Sequence, residues 1–563
     1  MVNRKIVVVG GVGGGASAAA RARRLDESAI VTMYEKGPDV SFSNCSLPYH
    51  LSGLIPDANS IILKTPEQFK KQYNIQAEVN SEVVDVDPVQ KTVKIKDTKS
   101  GDLRTADYDE LILSPGAKPV MPQSIKGIDR DNVFSIRNVV DIKHIQEYLV
   151  SNNINDVAVI GGGFIGLEVV ENLGQTGKNL TVVEMADHVL GTIDDDFAQL
   201  VHKNLYDHNV QVILNDGLSE IDADKIILKS GKAIRAQAVI MAIGVHPDVT
   251  LAEKIGCKIG VTGGIEVNQQ YETSLPNIYA IGDAIEVNNM LTRKKTRLAL
   301  AFPAQMEARD AVDHIYNRPV QNQGVIGSQV IHLFDLNVAS TGLTEEACEA
   351  NQIDYRAVTV IPQNRVSVMP DTSPIFLKLV FGYPSGEVLG AQAIGKSDID
   401  KQIDVIATMI SMHGRISDLT HLELCYSPWF STAKNAVNIA ALVAENILNG
   451  EYRQISISKV RGLVEKGAFI IDAREPNEYA AGHIMTSVNI PLSQFRQRLD
   501  EIPTDQPVYI HCQSSQRSYN MVRALENLGY TNVINIAGSY LELTQYEYFK
   551  DHTTDRKSIL TNY

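Results

Sequence analysis

"DVAVIGGGFIGLEVVENLG", residues 156–174, reads as a short apolar strand, a turn of three consecutive glycines and a helix. Gly161, Gly163 and Gly166 stand at the three spacings of a dinucleotide fingerprint. Glycine there permits a tight turn, close approach of backbone N–H groups to a pyrophosphate, and close packing of the helix on the strand. The next strand, "LTVVE", ends in Glu184, where a carboxylate can hold a ribose hydroxyl. An earlier stretch, "KIVVVGGVGGGASAAARARRL" at 5–25, repeats the pattern with Gly10 and Gly15, although Val12 takes the middle place. Its second strand, "IVTMYE", ends in Glu35. One fingerprint with its acid is weak support; two in one chain imply two bound dinucleotides. Farther on, "LILSPGA" (111–117) and "VIMAIGV" (239–245) read as strands where the chain crosses between nucleotide domains. "TSLPNIYAIGDA" (273–284) then delivers Gly282 and Asp283 to a helix start, where the carboxylate can accept from a cofactor hydroxyl.

With 563 residues the chain is too long for one core and predicts roughly three to five domains. A net charge of −15 argues against nucleic acid as a partner, and any acidic ligand needs a local basic pocket. The five cysteines, Cys45, Cys257, Cys348, Cys425 and Cys512, form no CxxC pair and suit a reducing compartment. No His/Cys cluster has metal spacing, so no metal is expected. No apolar run approaches the ~20 residues of a membrane span. A soluble, cytoplasmic protein is the expectation.

Between the two fingerprints lies "SFSNCSLPYH", residues 41–50, with its lone Cys45. The order of fingerprint, lone-cysteine loop, second fingerprint and "YAIGDA" resembles the two-dinucleotide flavoprotein disulfide reductases over about residues 1–447. The resemblance implies FAD on Gly10, Gly15, Glu35 and Asp283, and a nicotinamide nucleotide on Gly161, Gly163, Gly166 and Glu184. Glu184 would repel a 2′-phosphate, which favours NADH over NADPH. Members with a redox dithiol carry CxxxxC; here only Cys45 is present, so an internal disulfide is excluded and a mixed disulfide or a sulfenic acid remains. "SFxNCxLPY" is similar to the coenzyme A disulfide reductases, in which the cysteine pairs with the CoA thiol. Ser43 and Asn44 are then candidates to hold the thiolate or the pantetheine amides. For the CoA phosphates, "RARRLD" offers Arg21, Arg23 and Arg24, with Lys71 and Arg309 as further candidates by family position. The chain departs from its relatives at "SVMPDTSP" (367–374), where Val368 and Met369 replace tyrosines, and at "FPAQ", with Phe302 and Gln305. Tyr426 remains as the tyrosine expected near the partner subunit's cysteine.

The C-terminal stretches "FIIDAREPNEYAAGHI" and "VYIHCQSSQRSYNM" closely resemble a rhodanese domain. After its strand the chain turns through Cys512-Gln-Ser-Ser-Gln-Arg517 into a helix, so that successive N–H groups and the helix dipole suit an anionic sulfur such as a persulfide. Related phosphatases place one more residue between Cys and Arg, so this spacing favours sulfur. Ser515 stands where many rhodaneses have Gly, and Asp472, Arg474 and His483 read as structural. His50 and His511 adjoin the two cysteines without a visible third group to orient them.

These readings predict an α/β protein: a FAD-binding domain in two parts (1–120 and 246–324), an NAD(P)H-binding domain (121–245), an α+β dimerisation domain (325–447), a linker (448–456) and a rhodanese domain (457–563). The expected enzyme is a homodimeric, FAD- and NADH-dependent reductase of CoA persulfide, polysulfide or CoA disulfide. Cys45, Tyr426, Cys512 and Arg517 are its catalytic candidates. An NADH oxidase or peroxidase cycling a Cys45 sulfenate is one alternative, and a redox or sulfide-stress sensor without turnover is another.

Overall fold

A computed structural model describes residues 3–563. They form two compact units, one comprising the chain up to 185 with 216–325, the other 186–215 with 326–563.

The first unit holds both fingerprints. Strands Ile278–Ala280, Glu110–Leu113, Lys5–Val9, Ile30–Tyr34 and Gln76–Glu78 lie in that order as one parallel sheet. Strands Asn179–Val183, Asp156–Ile160, Ala238–Met241 and Val133–Ser135 repeat the arrangement. These short strands are almost continuously apolar and buried, as strands covered on both faces must be. In each sheet the fingerprint strand is central, so its glycine turn emerges at the carboxyl edge where such folds bind ligands.

In the second unit an antiparallel sheet runs in the order Gln329–Leu333, Leu336–Gly342, Val388–Gly395, Ile375–Gly382, Tyr355–Val360. All eight residues of both Val388–Gly395 and Ile375–Gly382 are buried, which makes this pair the core of the domain. The C-terminal domain is a parallel sheet ordered Gln454–Ile455, Val533–Ile536, Val508–His511, Phe469–Asp472, Val488–Asn489. Helices cover both its faces, giving one cluster around Phe495, Met521 and Leu525 and another around Ile457, Ile536 and Leu543.

Two expected boundaries move. Residues 448–456 are not a free linker: Gln454–Ile455 pairs with Asn535 and Ile536 as an edge strand, and Tyr452 is buried in the C-terminal core. Three apolar residues in a polar nine-residue stretch were too few to signal a strand. Residues 186–215, placed by sequence in the nicotinamide domain, belong to the second unit. Their helix Asp195–Asp207 buries Phe197, Leu200 and Val201, and sets the His202 ring against Phe549 of the C-terminal helix Ser539–Thr553, tilted by 48° with centroids 5.0 Å apart.

The same helix start carries a buried ionic network. Lys378 Nζ donates to Asp196 (2.6 and 2.7 Å), Glu345 (2.8 Å) and Asp194 (3.2 Å). Glu542 of the C-terminal helix is fully buried beside it, with neither carboxyl oxygen hydrogen-bonded, and burial pushes its pKa well up. Tyr546 Oη donates to Asp195 at 3.3 Å and Lys550 pairs with Asp195 at 3.5 Å.

Candidate active site

The two glycine turns are built alike. Gly10 (φ +99°) and Gly161 (φ +106°) lie in the left-handed region, and a Cβ there would stand 2.0 Å from Ser114 O and 2.4 Å from Ala242 O. One residue on, Gly11 N donates to Glu35 (2.8 Å) and Gly162 N to Glu184 (2.7 Å), so each strand-end acid is held against its own turn. Helices Gly13–Leu25 and Phe164–Gly174 start with no side-chain cap. A Cβ on Gly13 or Gly163 would meet nothing within 4 Å, so uncapped N–H groups open onto free space. Val12, in the middle place of the first fingerprint, is the residue just before the helix and has a negative φ of −108°, which a side chain tolerates.

Asp283, in the turn Gly282–Ala284, makes no side-chain hydrogen bond among the described residues, and burial raises its pKa. Gly282 N is taken by Glu307 at 2.6 Å, whose own carboxyl burial pushes up to about 7. Gly10, whose N–H is taken by Tyr34 O at 2.8 Å, makes the tight turn; Gly15 lies in the uncapped first turn of the helix, Glu35 is the clamped acid and Asp283 the unpartnered one, all on one sheet edge. They fit the pyrophosphate and hydroxyls of FAD.

Cys45 sits in a single turn, Asn44–Ser46, with its side chain exposed. The walls around the sulfur nonetheless desolvate it, and Glu168 and Asp283 add negative charge, so the thiol pKa is raised. Ser43 Oγ bonds Ser46 Oγ at 2.8 Å and shapes the turn, while Asn44 is exposed beside the thiol. The following turn Pro48–Leu51 rests on the second fingerprint helix, where Ser52 Oγ donates to Asn172 at 2.7 Å. That packing brings Glu168 toward Cys45, and burial lifts its carboxyl to about 7. Glu168 escaped the sequence reading; its signal was the acid two places after Gly166, on the helix face turned toward the cysteine loop. His50 Nδ1 donates to Ile55 O at 2.8 Å, and His50 is a turn residue.

The basic candidates divide. Arg23 is buried and donates to five backbone carbonyls, those of Asp26, Glu27, Ala29, Tyr73 and Asn74. Arg21 is paired with buried Asp313. Neither is available to a phosphate, because the guanidinium of Arg23 is taken up by carbonyls and that of Arg21 by a buried carboxylate. Arg24 and Lys71 are exposed on the helices Gly13–Leu25 and Pro66–Tyr73, whose ends Arg23 joins. Arg309 is half exposed, 3.8 Å from Asp313. In the second unit Tyr426, Trp429, Phe430 and Val368 are exposed.

Cys512 is buried at the end of strand Val508–His511. Ser518 Oγ donates to its sulfur at 3.6 Å and its N–H donates to Ser539 Oγ at 3.2 Å. Ser515 holds the left-handed turn (φ 72°) expected of glycine and anchors it through Oγ on Ile536 O and Ser539 Oγ. Arg517 is bound bidentately by Glu478 at 2.6 and 2.7 Å. Arg474 pairs with Asp472 at 2.7 Å in the interior, and His483 stacks on Tyr479 at 3.9 Å. His511 does have a carboxylate nearby, Asp472 at 3.6 Å, but burial pushes its pKa down.

Residues 4–308 match the pyridine nucleotide-disulphide oxidoreductase family, 328–437 its dimerisation domain, and 456–545 the rhodanese-like domain. The chain belongs to the pyridine nucleotide-disulphide oxidoreductase family. It is a flavoprotein oxidoreductase of the α/β class carrying a rhodanese-like domain. It is 32% identical to the coenzyme A disulfide reductase of Staphylococcus aureus (strain JH9) over 442 residues, 78% of this chain and 100% of the relative. The reduced Bacillus anthracis CoADR-RHD crystal structure is 41% identical with a TM-score of 0.94, covering 97% of this chain and 98% of that one. The NAD-dependent persulfide reductase of A. fulgidus is 32% identical with a TM-score of 0.91, covering 96% and 99%. No described helix is long and apolar enough to cross a membrane, and no group of metal-binding side chains occurs among the described residues.

Proposed function

We propose that the protein is an NADH-dependent reductase of CoA persulfide or polysulfide, and of CoA disulfide, that works through the single thiol of Cys45 and handles sulfane sulfur at Cys512. The observation that carries this reading is the exposed Cys45 turn wedged between the two nucleotide sites, with Asp283 and Glu168 as its nearest charges. FAD held by Gly10, Gly15, Glu35 and Asp283 would supply the two-electron relay from nicotinamide to sulfur. Cys45 as thiolate attacks the CoA-side sulfur of the persulfide, so that the S–S bond breaks, hydrosulfide leaves and a Cys45–CoA mixed disulfide forms. Two electrons and a proton then return the thiolate and free CoA. Ser43 and Asn44 orient the pantetheine end, and Arg24, Lys71 and Arg309 take the phosphates. Tyr426 serves the site of a partner subunit in a homodimer. Glu184, held on Gly162 N, disfavours a 2′-phosphate and hence NADPH.

NADH oxidation measured side by side with CoA persulfide, CoA disulfide, oxygen and peroxide tests the reading. Persulfide or disulfide should give the highest kcat/KM, and Cys45→Ser should abolish that turnover while leaving reduction of bound flavin by NADH intact. Faster turnover with oxygen or peroxide would replace the reading with an oxidase or peroxidase, and persulfide turnover in Cys45→Ser would eliminate the mixed disulfide.

A further inference from the structure

The cations of the Cys512 loop are already spoken for. Arg517, at the mouth, gives two N–H groups to Glu478, and Arg474, in the floor, is paired with Asp472. The guanidinium of Arg517 holds the Glu478 carboxyl below its usual range, so Glu478 is ionised at neutral pH, while burial keeps His511 uncharged. Two guanidiniums are thus balanced by two carboxylates before any substrate arrives.

We propose that Glu478 sets the donor specificity of Cys512, turning the loop away from thiosulfate and toward sulfur carried on an organic thiol. The inference rests on the assignment of Cys512 as a sulfur acceptor and names its substrate class. In either transfer the Cys512 thiolate attacks the outer sulfur, a new S–S bond forms, the donor's S–S bond breaks, and the former partner leaves with the electron pair. From thiosulfate the leaving group is sulfite, a dianion whose charge gathers at the loop mouth. From a persulfide it is a thiolate with one charge. Stabilising the dianion needs a free guanidinium, and Glu478 occupies the one at the mouth. Glu478 is a positioning residue, since it acts through Arg517.

The test compares thiosulfate with pantetheine persulfide, whose carrier bears no phosphate, in the full-length protein with cyanide as sulfur acceptor. Glu478→Gln should raise the thiosulfate-to-persulfide ratio of kcat/KM about fivefold, chiefly through a lower thiosulfate KM, as release of a partly exposed ion pair allows. Glu478→Asp should keep the wild-type ratio. The freed Arg517 should also make thiosulfate turnover fall with added salt in Glu478→Gln, whereas in wild type it stays flat or rises. An unchanged ratio in an active Glu478→Gln overturns the inference and leaves the role of Cys512 standing. If Glu478→Gln loses both activities, the wild-type salt profile decides, and a steep fall with salt overturns the proposal. A wild type that takes sulfur from neither donor overturns the assignment of Cys512 and this inference together.

Discussion

Cys45 lies where protein atoms and two carboxylates, Glu168 and Asp283, oppose its ionisation, so its thiolate population grows only as pH rises past the ordinary cysteine range. In flavin-free protein, alkylation by iodoacetamide should therefore climb through alkaline pH with a midpoint above that of free cysteine. Glu168 titrates at about 7 and is mostly ionised there. Glu168→Gln removes a negative neighbour and should move the midpoint down and speed alkylation at pH 8; a midpoint that stays or rises would show that its charge does not reach the sulfur. The glycine turns and strand-end acids could be read from spacing alone, because each answers to local backbone geometry, whereas Cys45 and Cys512 stood out through the resemblance of their flanking residues to family motifs. Glu168, Glu478 and the true place of Arg23 could not, because their partners lie far along the chain: Arg23 reaches Tyr73 and Asn74, and Glu478 reaches Arg517. A charge run such as "RARRLD" shows how many guanidiniums are present but not which carbonyls will claim them.

Among the elements, the strand Gln454–Ile455 was the hardest to see and has a clear energetic role. It closes the sheet edge beside Val533–Ile536, and Tyr452 just before it is buried in the same core cluster as Phe495, Ile502 and Leu525, with its ring edge-to-face on Tyr519. A C-terminal fragment beginning at residue 457 would lose both, uncovering an edge and deleting a buried aromatic, at a cost of about 3–5 kcal/mol for the aromatic alone. A fragment beginning at residue 450 should therefore show a clearly higher urea midpoint than one beginning at 457. Equal midpoints would mean that Tyr452 and the strand are attached to the domain without supporting it. The regular strands of both nucleotide sheets, by contrast, announce themselves as apolar runs between glycine turns, which explains why the doubly wound architecture was legible from sequence while the interdomain segments were not.

In the molecule as a whole, Lys378 is the buried cation on which the antiparallel sheet, the segment 186–215 and the C-terminal helix converge. Lys378→Ala leaves Asp194, Asp196 and Glu345 without their counterion, and removing one partner of a buried pair costs about 3–5 kcal/mol. Calorimetry should show the second unit melting earlier and the C-terminal domain separating as its own transition. Glu542→Gln should change little, because burial favours the neutral form of that carboxyl; a loss as large as that of Lys378→Ala would mean that Glu542 is charged. This network also decides how interchangeable the C-terminal module is. A rhodanese transplanted from another protein and spliced at 448–456 would bring the cradle for sulfur but not the mating face formed by Glu542, Tyr546 and Lys550. The graft would leave Asp195 without its cation, Lys550, and the Lys378 cluster open to water. For this architecture the practical unit of exchange is the domain together with the surface of helix Ser539–Thr553, and a chimera must be matched along that helix as well as at the splice.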